Sequence, residues 1–70
     1  MKAGDRVRIT YRGRSVVGKV ILASANGASL ALEFEAFLGG YAGMIPVMRD
    51  GDGIYRDLIA SEPVQLDLVQ

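Results

Sequence analysis

The chain has 70 residues, 50% of them hydrophobic, with eight basic and eight acidic side chains but neither cysteine nor histidine. This length gives one domain near the lower size limit for independent folding. The composition excludes disulfides, thiolate or imidazole zinc ligands, and a cysteine or histidine catalyst. A core of this size supplies only about 3–5 kcal/mol, so burial against a partner is the remaining route to further stability.

The zero net charge conceals an asymmetry along the chain. Residues 1–19 carry a balance of +5 and residues 20–70 a balance of −5. Such an asymmetry indicates either an interaction face or two parts of a fold that neutralise each other. The sequence shows no secretory leader and no apolar run near the roughly 18 residues of a membrane span, so we expect a soluble cytoplasmic protein with no membrane partner.

The first predicted element is a strand over residues 6–11, where apolar and polar residues alternate. Its apolar face consists of Val7, Ile9 and Tyr11. The segment Arg12-Gly13-Arg14 predicts a turn, and residues 15–23, rich in Val and Ile, predict a second strand. Gly18 interrupts this strand, which is typical of a bulge or a sharp bend in a curled sheet.

The pair Asn26-Gly27 predicts a hairpin, because both residues tolerate a positive φ. Apolar residues then alternate over 30–35, which predicts a third strand. A helix over Ala28–Leu38 is the alternative, since Ala, Leu and Glu favour helices. The spacing of two between apolar residues, and the pair Gly39-Gly40 that follows, favour the strand.

Residues 36–48 contain no charged side chain. Three glycines predict a loop for the first part, and residues 44–48 predict a strand that Pro46 restricts to a sheet edge or a strand start. The Asp-Gly repeat over 50–53 predicts a turn.

A short strand is predicted over residues 54–58, followed by one helical turn at most, which Pro63 ends. The alternation of Val64, Leu66 and Leu68 predicts a last strand.

Short strands joined by glycine-rich turns predict an all-β fold, a small SH3-like barrel of five to six antiparallel strands that takes up residues 1–70 as one domain. We expect at most one short helical turn. The predicted core is Val7, Ile9, Val20, Leu30, Leu32, Phe34 and Val64.

The opening Gly4-Asp5-Arg6-Val7-Arg8-Ile9, with Gly13 and then Val17-Gly18-Lys19-Val20, resembles the first hairpin of Src-homology-3-like barrels. KOW-type ribosomal and transcription modules look like this, and so does the type II dihydrofolate reductase, whose small barrels form a tetramer around one pore. The resemblance covers about the first twenty residues and implies the fold rather than a function.

The active surface of that reductase uses a Val-Gln-Ile-Tyr run on an internal strand. The nearest match here, Val64-Gln65-Leu66-Asp67, lacks the tyrosine and lies on the last predicted strand. No catalytic residue is therefore carried over from the reductase.

A basic stripe on the first hairpin is the first candidate site. Arg6 and Arg8 share a strand face, and Arg12 and Arg14 flank the turn beside it. Such a stripe is able to neutralise nucleic-acid phosphates. The alternative, which the neutral charge of the whole chain favours, is a solvated face neutralised by acids from later strands.

Other residue patterns favour structural interpretations. The Asp-Gly repeat over 50–53 does not fit an EF-hand, since Met48 and Ile59 would occupy its first and last ligand positions. Glu33 and Glu35 share a strand face, an arrangement that acid–base catalysis can use, but no histidine or cysteine accompanies them. The glycines of residues 39–43 lack the Lys-Ser/Thr of a phosphate loop. We expect neither a metal nor a cofactor.

The uncharged segment is the second candidate site, because charge is depleted and Tyr, Phe and Met are enriched at protein interfaces. Its candidate interface residues are Phe37, Leu38, Tyr41, Met44, Ile45, Val47 and Met48. The alternative is a core strand with a hydrophobic loop folded onto it. We expect a non-catalytic interaction or assembly module that forms a homo-oligomer or binds a protein partner. The alternatives are a nucleic-acid-binding module that uses the basic hairpin and, third, a small oligomeric enzyme resembling the type II reductase.

Overall fold

Alternating apolar residues form the strands of this fold. The structure is a computed structural model and describes residues 1–69. Its strands are β1 (Arg6–Tyr11), β2 (Arg14–Ala23), β3 (Ser29–Leu38), β4 (Tyr41–Arg49), β5 (Tyr55–Asp57) and β6 (Gln65–Leu68). Residues 1–69 contain no helix, so Ala28–Leu38 is a strand for most of its length, as the spacing of its apolar residues predicts.

All six strands belong to one antiparallel sheet in the order β5-β4-β3-β2-β1-β6. The sheet curls into a half-barrel and fits a small Src-homology-3-like fold, which confirms the predicted fold class. The two outermost strands approach each other where the Val64 N–H donates to the Tyr55 carbonyl over 2.8 Å, beside a bridge between Arg56 and Pro63.

The concave side of the sheet holds the core. All seven predicted core residues are buried, and Tyr11 is buried with them, as the alternation of β1 predicts. The core also contains Leu38, Ile45 and Val47. A carboxylate, that of Asp57, is buried among these apolar side chains.

The loop predicted for the start of the uncharged segment is wrong. β3 continues to Leu38, and β4 begins at Tyr41, directly opposite it. Only Gly39 and Gly40 form the connection, with φ values of 56° and 96°. Positive φ at both positions is typical of the tightest hairpin turns, so these glycines join two long strands rather than forming a mobile loop.

Pro46 is not on an edge strand, because β4 lies between β3 and β5. It is opposite Ala31 on β3, whereas β5 pairs only with Val47, Met48 and Arg49. At Pro46, β4 therefore pairs with β3 only and has no neighbouring strand within residues 1–69 on its other side. This local edge is the environment that tolerates a strand residue without an N–H.

The ends of the half-barrel carry the turns. Tyr11, Leu38 and Asp57 lie near one end, together with the β1–β2 and β3–β4 turns. The Asn26-Gly27 turn and the turn over residues 50–53 lie at the other end. No helix in the described part of the chain is long and apolar enough to cross a bilayer.

Candidate functional site

The outward side of β4 carries only apolar side chains. Ala42, Met44 and Met48 are exposed, and Pro46 is half-buried, because alternate residues of the strand point away from the core. The apolar surface extends across neighbouring strands, since Pro46 lies opposite Ala31 and Ala31 lies opposite Leu22. We call this surface the β4 outer face. It consists of Leu22, Ala31, Phe37, Ala42, Met44, Pro46 and Met48.

The structure divides the candidate interface residues between two sides of the sheet. Leu38, Ile45 and Val47 are buried in the core, so the prediction that they lie at a surface is wrong. The physical reason is that the segment is a strand with a period of two and not a projecting loop. Phe37, which is 75% exposed, Met44 and Met48 remain at the surface, whereas Tyr41 is half-buried.

The basic residues of the first hairpin do not form one continuous stripe. Arg6 lies opposite Lys19, and Lys19 lies opposite Glu33 on the next strand. Arg8 lies opposite Asp67 of β6. Acidic side chains therefore flank the basic ones on both sides of this surface, as expected for a solvated face.

Arg12 and Arg14 differ from one another in their contacts. The Arg12 guanidinium forms an ion pair with Glu62, in which Nε donates to Oε1 over 3.1 Å, and it lies 5.2 Å from the ring centre of Tyr11. Arg14 lies opposite Tyr11 at the start of β2. Within residues 1–69, Arg6, Arg8, Arg14 and Lys19 form no ion pair.

We expect the protein not to bind short DNA or RNA at physiological salt, because the acids beside the basic residues offset their potential. Fluorescence anisotropy of a labelled single strand over a range of salt concentrations tests this. Tight binding that weakens steeply with salt would contradict the expectation. For each phosphate contacted, the slope of log affinity against log salt concentration would then be about −0.7 to −0.9. Replacing Arg6 and Arg8 by Ala would then weaken binding equally for all sequences.

The Asp-Gly segment forms a turn, as predicted. Oδ1 of Asp50 accepts hydrogen bonds from the N–H groups of Asp52 (2.9 Å) and Ile54 (3.0 Å), and its Oδ2 accepts one from Nε of Arg56 (2.9 Å). The hydrogen bond from Arg56 holds the pKa of Asp50 below its ordinary value. No group of three or more acidic side chains suited to a metal occurs among residues 1–69.

Asp57 was not among the predicted site residues. Its carboxylate is 2% exposed and accepts hydrogen bonds from the hydroxyl of Tyr41 (2.7 Å) and the N–H groups of Ala60 and Glu62 (2.8 Å each). These bonds shape the turn between β5 and β6, where the sequence analysis allowed one helical turn. The chain there folds around a side chain and not into a helix.

Hydrogen bonds keep this buried carboxylate ionised. Burial by itself raises the pKa of Asp57, but the donors from Ala60, Tyr41 and Glu62 outweigh it and bring the pKa to about 2. Burial and the bond to Asp57 together raise the pKa of the Tyr41 hydroxyl to about 12. Tyr41 therefore stays a neutral donor and Asp57 a charged acceptor over the whole physiological range.

Acid should destabilise the fold through Asp57. Its pKa is about 2 in the folded chain and about 3.9 in an unfolded one, so its contribution is complete above pH 4 and is lost as the pH falls towards 2. A shift of this size corresponds to roughly 2.5 kcal/mol. Thermal melts followed by circular dichroism from pH 7 to 2 measure it. Tyr41→Phe removes one donor and should flatten the acid limb of the profile. Identical acid limbs for wild type and variant would contradict this role for the carboxylate.

A second tyrosine, Tyr11, lies beside Tyr41 and Asp57. The rings of Tyr11 and Tyr41 meet edge to face, with centres 5.9 Å apart and planes at 69°. The hydroxyl of Tyr11 is buried beside the carboxylate of Asp57, although it makes no hydrogen bond of ordinary geometry within residues 1–69. Burial raises the pKa of Tyr11, and the nearby charge of Asp57 raises it further. Two tyrosines and a carboxylate therefore share one end of the half-barrel.

Comparison with protein-family models, with curated proteins and with solved structures finds no match for this chain. The likeness to Src-homology-3-like barrels therefore lies in the curled sheet itself. A shared sheet architecture indicates a fold and not an activity, because such small barrels host many unrelated functions.

Proposed function

We propose that this protein is a non-catalytic interaction module that assembles with a second copy of itself through the β4 outer face. The observation that carries the proposal is the chemistry of one strand. Each outward residue of β4 is apolar, and Leu22 and Ala31 continue that surface onto β2 and β3. Contiguous exposed apolar surface on a small domain is typical of an interaction site.

The surface suits a second copy of the chain because it is self-complementary. A two-fold interface brings the same patch of both subunits together, and an uncharged patch does so without burying an unpaired charge. The patch has Glu33 opposite Met44 on one flank and Arg56 opposite Met48 on the other. Lys19 already lies opposite Glu33 and Asp50 already binds Arg56, so neither flank needs a charged partner from the second subunit.

The size of the domain favours association. A standard interface buries about 800 Å² per partner, so it would cover roughly a fifth of the 4348 Å² surface of this chain. The core is small and has no disulfide to support it. Burial of the β4 outer face would stabilise the folded chain through association.

Replacing Met44 and Met48 by Asp should convert the protein to a monomer, since association would then bury carboxylates without partners. Sedimentation velocity at micromolar concentrations measures the change. We expect a lower melting temperature as well, because the variant loses the stability that association supplies. These positions are preferable to Tyr41, whose hydroxyl bonds to Asp57 inside the fold.

Val17→Asp is the matched control, because Val17 is an exposed residue of β2 that lies opposite Arg8 and outside the β4 outer face. It introduces the same side chain and should leave the oligomeric state unchanged. Equal dissociation in the control and in the methionine variant would contradict an interface at β4. So would a methionine variant that associates as the wild type does.

A further inference from the structure

The first half of β2 has a neighbouring strand on one side only. It pairs with β1 from Arg14 to Lys19, whereas its pairing with β3 ends where Lys19 lies opposite Glu33, although both strands continue beyond that pair. An open cavity of about 290 Å³, lined in part by Val17, lies where the two strands separate. Since β1 and β3 are the only neighbours of β2 within residues 1–69, residues 14–18 form a free sheet edge, which we call the β2 edge.

The backbone of the β2 edge presents hydrogen-bonding groups to the open side. In an antiparallel ladder, alternate residues of a strand bond to a given neighbour. The N–H and the carbonyl of Val20 bond to the segment before β1, over 2.9 and 2.7 Å, and the register between β1 and β2 contains no bulge. By this alternation Gly18 and Val16 also bond to β1. The N–H and carbonyl groups of Ser15 and Val17 therefore point away from β1.

The β2 edge is accessible to another strand. Ser15 is exposed and Val17 is 43% exposed, and each contributes one backbone donor and one acceptor. A row of free backbone groups at a sheet edge is a template on which an extended segment adds as a further strand. The β2 edge lies outside the β4 outer face, so such an addition does not depend on self-association.

The charge of Arg14 selects the occupant. Arg14 is exposed, lies opposite the uncharged Tyr11 and forms no ion pair within residues 1–69, whereas Lys19 at the other end of the edge lies opposite Glu33. β2 contains no acidic residue, so the same edge of a second copy would bring only basic side chains towards Arg14. Like charges on neighbouring strands are destabilising and opposite charges are favourable.

We propose that the β2 edge binds an extended segment of a partner protein as a seventh strand of the sheet, with an acidic residue of that segment beside Arg14. The segment pairs antiparallel to β2, as the other strands of this sheet do with their neighbours. Its backbone bonds to Ser15 and Val17, and an apolar side chain lies opposite Val17. An antiparallel direction puts the acidic residue at the carboxyl end of the segment, because Arg14 is the first residue of β2.

The peptide acetyl-Thr-Val-Thr-Val-Glu amide tests the proposal when it is titrated into the ¹⁵N-labelled protein. In the free protein, the N–H groups of Ser15 and Val17 should exchange quickly with solvent, whereas those of Val16 and Gly18 should be protected. The peptide should produce saturable shifts at Ser15 and Val17 and slow the exchange of both. Protection of both groups in the free protein would overturn the proposal, because the edge would already be covered. Absence of saturable shifts would do so as well.

The same peptide with lysine in place of glutamate is the control for charge. It should bind the wild type about three- to tenfold more weakly, because an attractive cross-strand pair becomes a repulsive one. Arg14→Glu changes an exposed residue and should reverse this preference without loss of the fold. Equal affinities for the two peptides, or an unchanged preference in Arg14→Glu, would contradict the role of Arg14. Shifts at Ser15 and Val17 with a DNA strand but not with the peptide would assign the edge to nucleic acid and overturn the proposal.

Val17→Pro tests the backbone bonds directly. It removes an N–H that points to the open side, where a strand tolerates proline, so the variant should fold and lose peptide binding. Val16→Pro is the matched control, because it removes an N–H that bonds to β1 and should lower the melting temperature. Full peptide affinity in a folded Val17→Pro variant would overturn the proposal. If Val17→Pro did not fold, the exchange of the wild-type N–H groups and the Arg14→Glu variant would decide.

Discussion

Leu32→Ala is expected to cost about 2–5 kcal/mol of the free energy of unfolding, which leaves a domain of this size mostly unfolded. Leu32 is fully buried in β3, and it lies opposite Val20 of β2 and Ile45 of β4. Truncating its side chain creates a cavity at the centre of the core, which three strands cannot close without moving together. Urea denaturation followed by circular dichroism measures the loss, and Phe34→Ala should behave in the same way.

Leu68→Ala is the matched control, because the same atoms are removed from a side chain that is 62% exposed on β6. We expect a change of less than about 0.5 kcal/mol there. An unchanged denaturation midpoint in Leu32→Ala would contradict the assignment of the two faces of β3. A slip of one residue in register turns each side chain to the opposite side of the sheet.

Gly18→Ala is expected to destabilise the fold by about 1–3 kcal/mol or more, although it adds a single methyl group. A Cβ at Gly18 would lie 2.2 Å from the carbonyl oxygen of Glu33 and 3.1 Å from Cδ1 of Ile9. The first contact is with backbone, so β2 and β3 must separate to relieve it. The glycine therefore permits the close approach of two strands where the sheet curls.

Gly51→Ala is the control for the glycine prediction. No atom lies within 4 Å of a Cβ built at Gly51, and its backbone is outside the left-handed region. The replacement should leave the free energy of unfolding unchanged or raise it by less than about 1 kcal/mol, because alanine lowers the conformational entropy of the unfolded chain. Thermal melts of both variants measure the difference. Equal melting temperatures would show that β2 and β3 have more room at Gly18 than the structure gives them.

The strands of the first half of the chain could be predicted because their signals are local. The alternation of β1, the Asn26-Gly27 turn and the spacing of apolar residues in β3 each lie within a few positions of one another. Burial follows from the same alternation, since one face of a curled sheet must be the core. This is why the seven predicted core residues are all buried.

The β3–β4 hairpin was harder to predict because its glycines have two different roles. Gly39 and Gly40 form a tight turn, whereas Gly43, with a φ of 81°, lies within β4 where the pairing with β3 is irregular. The sequence does not distinguish these two roles, so the cluster of glycines predicts a loop. The mistake placed Leu38 at the surface, although it is buried in the core.

The carboxylate of Asp57 could not be identified from the sequence, because its partners come from distant positions. Tyr41 donates to it from another strand, and the ring of Tyr11 packs against Tyr41 from β1. The available signal was the spacing of two between Tyr55 and Asp57, which puts both on one face of a strand. That spacing becomes informative only when the face that Tyr55 occupies is known.

The solution mass of the wild-type protein tests the proposed self-association most directly. Light scattering across the micromolar range should give a mass that rises from the 7.5 kDa of one chain towards at least twice that value. The Met44→Asp, Met48→Asp variant, measured beside it, should remain at the mass of one chain. A wild-type protein that stays at 7.5 kDa up to high micromolar concentrations would contradict assembly through the β4 outer face.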